Sequence, residues 1–490
     1  MTLSLALDVA RSKLATASDQ TAIASRNVAN AGNASASRKI ANVVTGPGGG
    51  VALASVTRAT NTSLFDAVLR ATSLEEAGKA VADALEQLNR TNADPELDAS
   101  PAALVGKLRD ALQLFAAAPN EIVRAQSAVF SAVHVADGLN DATRTVQELR
   151  AQADADMAAS AENIRSLLGR LETVNGHVTA GTRAGGDVTD YLDQRDQILG
   201  ELSQEVGIKV VARADNDIVV LTDSGAIMFD RTPRPVLFDP SPRLDATTQG
   251  NAVYIDGVLV AGGDGVMTTA SGRLAGLARV RDEIAPAYQC QLDEIARGLI
   301  DVFAESDQSA SPGLPDRPGL FTYPGAPAMP ASGIRFEGLA GLIRVANSVN
   351  PDAGGDPLLL RDGGISGSSV FVYNTTGAAG FSDRLEEIAA KLGEARSFDP
   401  AASLDSSTSL TGFAKSSVAW LQEGRKAASA EAEYRGTLRE RAAESLSRVS
   451  GVSLDEEMIS LLDLERAYQA TSKLISTIDE MLGSLLNAVA

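Results

Sequence analysis

The sequence predicts a mainly α, elongated, multi-domain chain with a β-rich insertion. N- and C-terminal helices pair as a coiled coil, a long helical bundle fills the middle, and an irregular, partly β outer region projects from it. Three observations predict this. Heptad stripes of apolar residues stand at both ends of the chain. No proline interrupts the stretch between Pro119 and Pro233, whose first part is rich in alanine flecked with acids. After Gly207 the apolar period shortens from that of helices to that of strands.

At the N-terminus, Leu3, Leu7, Ala10, Leu14, Ala17, Thr21, Ala24 and Val28 alternate at spacings of four and three. Small residues in such a stripe let a partner helix approach closely, and so thin a stripe needs a partner to be stable. The Asn and Gly residues from Asn27 to Asn33 signal a helix stop and turn. Gly46 to Gly50 (GPGGG) reads as a loop or hairpin turn. A phosphate cradle does not fit there, because no lysine follows and no strand-then-helix context surrounds it. Leu64, Val68, Leu69, Leu85 and Leu88 recur at helical spacing, and Ser100-Pro101 is a strong helix start. A further helical region runs from Asn120 towards Val174, and such sequence makes long antiparallel helices, a rod rather than a ball.

Gly181 to Gly186 ends that region, and Thr189 is predicted to cap the next helix, which passes through Leu199, Leu202 and Val206 to Gly207. Within it, Asp193, Arg195 and Asp196 could be taken for an acid–base group. A solvated ion-pair cluster that fixes helix packing is the better reading, since charged helix faces are common. Ile208–Ala212, Ile218–Leu221 and Ala226–Phe229 are short β-rich runs, and Val253–Ile255 with Val258–Val260 flank Asp256-Gly257, a hairpin signal. The acids between these runs do not have the spacing of a calcium loop. Helix resumes through Ile284, Leu292, Ile295, Leu299 and Phe303, with Pro286 either starting or kinking it. Cys290 on this helix has no histidine nearby and reads as a small core residue. Thirteen of the eighteen prolines fall between Pro233 and Pro357, so residues 306–377 are expected to be loops around at most a small subdomain. Helix returns at Ser382–Leu392 and Phe413–Ser450, with Trp420 expected in the core.

The last forty residues organise the rest. Gly451 breaks the preceding helix, and Ser453 stands three residues before Glu456, the capping-box spacing. Asp455, Glu456 and Glu457 fill the first turn, where carboxylates suit the helix dipole. One heptad row is Leu454, Leu461, Tyr468, Ile475 and Leu482. Its neighbour is Leu464, Thr471, Ile478 and Leu485, with Glu457 as the one charged member, and Met458, Leu474 and Met481 widen the seam. A stripe of this period fits a coiled-coil seam or an ordinary core helix. Charge favours the first. Residues 1–45 carry five basic against two acidic side chains, residues 451–490 seven acidic against two basic.

The net charge of −20 argues against a nucleic-acid groove and against adhesion to an anionic membrane. A lone cysteine cannot make an intrachain disulfide, which fits a cytosolic protein or one exported without disulfide-based folding. No apolar run approaches the ~20 residues of a membrane helix, and the N-terminus lacks the pattern of a cleaved signal peptide. GxSxG, HExxH, CxxC and Walker sequences are absent, and two isolated histidines with one cysteine cannot furnish an ordinary zinc site. No catalytic, cofactor or metal residues are predicted.

Four stretches resemble a known family. GVSLDEEM, ERAYQAT and TIDEMLGSLL near the C-terminus resemble the terminal signature of flagellar hook-associated protein 1. Asn27, Val28, Ala29, Asn30, Ser37 and Arg38 resemble the short motif after the first helix of rod, hook and hook-associated proteins, with Ala34-Ser35-Ala36 where the family usually has Pro-Gly-Tyr. LDQRDQ at 192–197, and Gly272 to Leu277 with Arg281, Asp282 and Pro286, resemble two further family stretches. The resemblance implies a non-enzymatic structural subunit of the bacterial flagellum at the hook–filament junction. It implies a ring of copies of the chain, contacts with hook protein and hook-associated protein 3, and a flagellar export chaperone on the C-terminal segment. It also implies export without a cleaved signal peptide to an extracellular place in the flagellum. Another axial subunit (hook-associated protein 3 or the hook protein), or an adhesin or enzyme on a coiled-coil stalk, are the alternatives.

The expected division is a terminal coiled-coil domain of residues 1–45 with 446–490 and a helical rod of 46–207 with 272–305 and 378–445. A β-rich insertion occupies 208–271, and a reduced, loop-rich outer region 306–377. The residues expected to form the self-assembly and partner seam are Leu3, Leu7, Leu14, Val28, Leu454, Met458, Leu461, Leu464, Tyr468, Ile475, Ile478, Leu482 and Leu485.

Overall fold

The computed structural model describes residues 3–33, 35–92, 98–331 and 335–489. Ala34, one of the residues departing from the family's usual motif, lies outside them. The chain begins with α1 (Leu3–Asn30), followed by an antiparallel hairpin of β1 (Lys39–Thr45) and β2 (Val51–Arg58) turned by the Gly46–Gly50 loop. The rod then starts with α2 (Thr62–Asn92), α3 (Pro101–Ala117), α4 (Ile122–Arg183) and α5 (Thr189–Glu205). With 62 residues, α4 is about 93 Å long at 1.5 Å per residue and sets the length of the rod. Its buried stripe of alanine, valine and leucine from Ala125 to Val178 runs nearly its whole length. Ser100 caps α3 as the sequence requires, its hydroxyl accepting the Ala103 N–H.

At α5 the expected cap is displaced. Thr189 is the first helical residue and Val188 holds the cap position without a side-chain cap bond, while Asp187, one residue earlier, accepts both the Thr189 N–H at 3.0 Å and the Thr189 hydroxyl at 2.6 Å. A carboxylate is the stronger acceptor at the positive end of the helix.

The β-rich insertion forms two antiparallel sheets, β3 (Ile208–Ala212), β4 (Ile218–Thr222), β5 (Ile227–Asp230) and β6 (Thr232–Pro233) in sequential order, then β7 (Val236–Leu237), β8 (Val253–Ile255) and β9 (Val258–Ala261). Asp256 and Gly257, both with positive φ, turn the second hairpin. These sheets do not stand apart from the helices: Val220, Phe229, Val253 and Val260 belong to the same apolar core as α4 and α7. Helix resumes with α6 (Arg273–Arg279), passes through one π-helical stretch at Val280–Ile284, and continues as α7 (Ala285–Val302). Pro286, the second residue of α7, stands in its first turn, so the start that the sequence allowed for is the one found, although the helix is continuous with the π turn before it. The proline lacks an N–H and its ring crowds the carbonyl four residues back, and the wider π turn before it accommodates both. Cys290 is fully buried on α7, and burial pushes its thiol up to about 12, so it packs as a neutral small residue.

The outer region holds β10 (Phe321–Thr322) paired with β11 (Arg344–Val345), the single turn α8 (Leu359–Asp362), α9 (Asp383–Lys391), and β12 (Ala395–Ser397) paired with β13 (Ser407–Ser409). So little regular structure leaves backbone N–H groups to be satisfied otherwise, and α7 supplies the acceptors. Asp293 accepts the Gly338 and Ala340 amides at 2.9 Å, and Glu294, paired with Arg297, accepts the Asp399 amide at 2.8 Å. Glu305, just beyond α7, accepts the Ile365 and Ser366 amides and faces Arg384. The chain returns through α10 (Leu410–Ser450), which packs along α2, and ends in α11 (Leu454–Val489), which packs along α1. Trp420 on α10 is half-buried against the core, its ring parallel to that of buried Tyr288.

Candidate functional site

Two features of the terminal helices can act on other molecules or control how they are presented: the apolar faces of α1 and α11, and the ionic contacts that join them to the rod. Arg38, which follows α1, reaches the first turn of α11, so the two helices run antiparallel. With 28 residues against 36, α1 is the shorter by about 12 Å and cannot cover α11 to both ends.

Two stripes on α1 are occupied. One holds Ala10, Ala17 and Ala24 buried, with Leu3, Leu7, Leu14 and Val28 half-buried, the expected heptad stripe. Thr21 in the same row is exposed. The second stripe carries the hairpin. Ser12 accepts the Val51 amide, the Thr16 hydroxyl donates to the Val51 carbonyl at 2.9 Å, and glycines 48 and 49 let the turn lie close to Leu5 and Val9. Asn27 closes this stripe by acting as a strand would. Its Nδ2 donates to the Lys39 carbonyl and its Oδ1 accepts the Lys39 amide, both at 2.9 Å, in a buried setting. Asn27→Ala removes both bonds and strands two buried backbone groups, an expected cost of about 1–3 kcal/mol to local stability. Amide exchange should quicken in β1 and leave α4 unchanged.

On α11 Glu457, Leu461, Leu464, Thr471, Ile475, Ile478 and Leu482 are shielded in a heptad pattern, together with Ser460 and Gly483 beside it. Of the expected seam, Leu461, Leu464, Ile475, Ile478 and Leu482 therefore lie in the shielded row, whereas Leu454, Met458, Tyr468 and Leu485 are exposed. Besides Ile459, Tyr468 and Leu486, the exposed large apolar residues of α11 fall into two strips. Leu454, Met458 and Leu462 follow one another at spacings of four along the first half of the helix, and Leu474, Met481 and Leu485 form a second strip along the last half. Each stands about half exposed, with Met458 at 50% and Leu462 at 49%. The expected capping box is only half present. The Ser453 hydroxyl lies 3.5 Å from the Glu456 amide, but the Glu456 carboxylate pairs with Arg38 instead of returning to Ser453. Arg38 also donates Nε to the buried Glu457 at 2.7 Å and its amide to the Ser450 carbonyl at 2.8 Å. The one charged member of the seam thereby gains a partner.

Below this, the two polar stretches of sequence meet. Asp193 of α5 accepts the Ser37 amide and hydroxyl and pairs with Lys39 and Arg58. Arg58 extends to Asp196 at 2.7 Å. Arg26 pairs with Asp187 at 2.9 Å and stands 3.5 Å from Asp190, and Lys39 stands 3.7 Å from Asp190. Burial works against the charged Arg58, but Asp196 and Asp193 outweigh it and hold the guanidinium above its ordinary value. Arg195 points the other way, to Asn175 on α4 and the Asn216 carbonyl. The cluster is thus an ion-pair network, as expected, but not a solvated one: Asp193 and Arg58 side chains are 13% and 14% exposed. Sequence reasoning did not single out Lys39, Arg58, Asp187 or Asp190. Carboxylates at every third position from Asp187 to Asp196 are the signal that points to them.

Among the described residues no group of three or more His, Cys, Asp or Glu side chains could hold a metal ion, and no helix is long and apolar enough to cross a membrane.

Residues 75–311 match the family described as the flagellar hook-associated protein FlgK helical domain. Residues 446–488 match the flagellar basal body rod FlgEFG protein C-terminal family. Flagellar hook-associated protein 1 of Bacillus subtilis (strain 168) is 21% identical over 382 residues, which is 72% of this chain and 69% of that protein. The solved flagellar hook junction protein FlgK from Burkholderia pseudomallei aligns with a TM-score of 0.42 at 20% identity, over 53% of this chain and 46% of that one, less than half of its length.

Proposed function

We propose that this chain, which is similar to flagellar hook-associated protein 1, is a structural subunit of the bacterial flagellum that forms the hook–filament junction, polymerising at the hook tip through its terminal helices. The observation that carries the assembly step is the pair of apolar strips on α11 that α1 leaves uncovered. Contiguous apolar surface of this kind marks an interaction site, and a ring of identical chains can cover it with the same helices of neighbouring copies. In this reading the α1–α11 pair lies towards the axis, the helices α2 to α5, α7 and α10 form the rod, and the β-rich insertion and outer region project from it. The hairpin belongs with the terminal helices, because it packs on α1.

The partners in this proposal are further copies of the chain, hook protein on one side and hook-associated protein 3 on the other. An export chaperone holds the C-terminal segment before the chain leaves through the flagellar export apparatus. The chain is assigned no catalytic step. The rod-protein match at 446–488 taken by itself fits another axial subunit; the helical-domain match over 75–311 favours the junction protein.

Removal of residues 451–490 tests the proposal. Electron microscopy of cells is expected to show hooks without filaments, with flagellin lost to the medium. Filaments of normal length and number would sink the reading.

A further inference from the structure

We propose that the row of carboxylates Asp187, Asp190, Asp193 and Asp196 is an electrostatic joint, on which the terminal module (α1, the β1–β2 hairpin and α11) turns relative to the rod. The first observation is the way the charges interleave. Each of three cations from the terminal module lies between two successive carboxylates: Arg26 between Asp187 and Asp190, Lys39 between Asp190 and Asp193, and Arg58 between Asp193 and Asp196. The carboxylates stand three residues apart, close to one helical turn, so every cation has a second acceptor within reach if the first contact opens.

A second, independent observation is that the two bodies have separate apolar cores. Among the described residues, the main cluster begins at Leu69 and ends at Leu421, and it contains no residue of α1, the hairpin or α11. The terminal module buries its own small set, Ala10, Ala17, Ile23, Ala24 and Ile478. The polypeptide passes between the bodies only at residues 59–61 and 451–453. Interdigitated apolar side chains would hold one angle, because close-packed surfaces are not continuously deformable. Ion pairs made by long side chains tolerate a range of angles.

Exposure is uneven along the row: Asp190 is 58% exposed and Asp187 33%, against 13% for Asp193 and 25% for Asp196. The side chains of the joint, Arg26, Lys39 and Arg58 with the four aspartates, are not among the apolar strips on α11 that carry the assembly reading, so the joint stands whether or not that reading does.

Pulsed electron-spin distance measurements on the full chain test it. One label pair spans the joint (Ser18→Cys with Ser166→Cys), one lies within the terminal module (Ser18→Cys with Ser55→Cys), and one lies within the rod (Ser127→Cys with Ser166→Cys). At low salt all three pairs should give single narrow distances. With Asp190→Asn and Asp193→Asn together, which removes charged acceptors of Arg26, Lys39 and Arg58, only the pair across the joint should lose its narrow distance. A cross-joint distance that stays narrow in the double variant would overturn the proposal, as would one already broad in the native chain at low salt. Simultaneous broadening of the pair within the terminal module would also overturn it, because the row would then be a folding contact rather than a joint.

Discussion

A chain carrying Met458→Asp and Leu462→Asp is expected to fold and melt like the native protein and to build no filaments. Both side chains are about half exposed in the monomer, so charge placed there meets water and costs the isolated chain little. In the proposed ring the same positions are covered by a neighbour. Completing the burial of a Met or Leu contributes roughly 1 kcal/mol per side chain, half of the ~1.5–3 kcal/mol of full burial, and every subunit repeats the contact. An aspartate enclosed there without a partner reverses that gain and adds a desolvation penalty of several kcal/mol. Thermal unfolding of purified chain, read beside electron microscopy of cells and flagellin in the medium, separates the two effects. Normal filaments would mean that the first strip of α11 is not a contact between copies. A large drop in melting temperature would mean that these residues support the monomer instead.

Arg281→Met is expected to cost about 3–5 kcal/mol, read as a shift in the urea midpoint of the rod. Arg281 is fully buried where the π turn of the α6–α7 helix faces α4, and it fastens the insertion to the rod. Its guanidinium pairs with buried Asp154, makes a two-pronged pair with Asp282 at 2.8 and 2.9 Å, and donates to the Asn251 carbonyl at 2.8 Å. Burial opposes its charge, but Asp282 and Asp154 more than offset that and hold it above its ordinary value. Gly250 and Gly262 line the guanidinium so closely that a Cβ on either would collide with it. From the α4 side, Arg150 donates to the carbonyls of Asp245 and Thr248 at 2.5 and 2.7 Å and so grips the same loop. Methionine fills the volume but leaves Asp154 as a buried charge, with the Ser241 amide and hydroxyl as its remaining donors. Combining Arg281→Met with Asp154→Leu removes both charges and should recover part of the loss. A single variant within about 1 kcal/mol of native would show that the network is worth no more than a surface pair.

Much of the fold can be read from the chain because its signals are local. Heptad rows at both ends mark helices that need a partner; Ser100-Pro101, Gly451 and Asp256-Gly257 mark a start, a stop and a turn; the proline-free alanine-rich run marks the long rod helix. Periodicity states that a helix has an apolar face. It does not state what covers that face. Tyr468 sits in the same heptad row as Leu461 and Ile475, yet it stays exposed while they are shielded. The polar sites are further from view. Arg38 meets Glu457 across 419 residues, and Lys39 meets Asp193 across 154. Whether a carboxylate such as Asp193 or Asp154 is a solvated surface charge or the buried half of an ion pair depends on which distant cation the fold delivers to it. By itself the sequence determined the helical rod, its strand-rich interruption and the need of the two ends for partners, since propensity, period and turn chemistry act within a few residues. Only the tertiary structure decided which face of α11 remains open and how the acidic row on α5 is neutralised, since burial and charge compensation are properties of residues brought together from opposite ends of the chain.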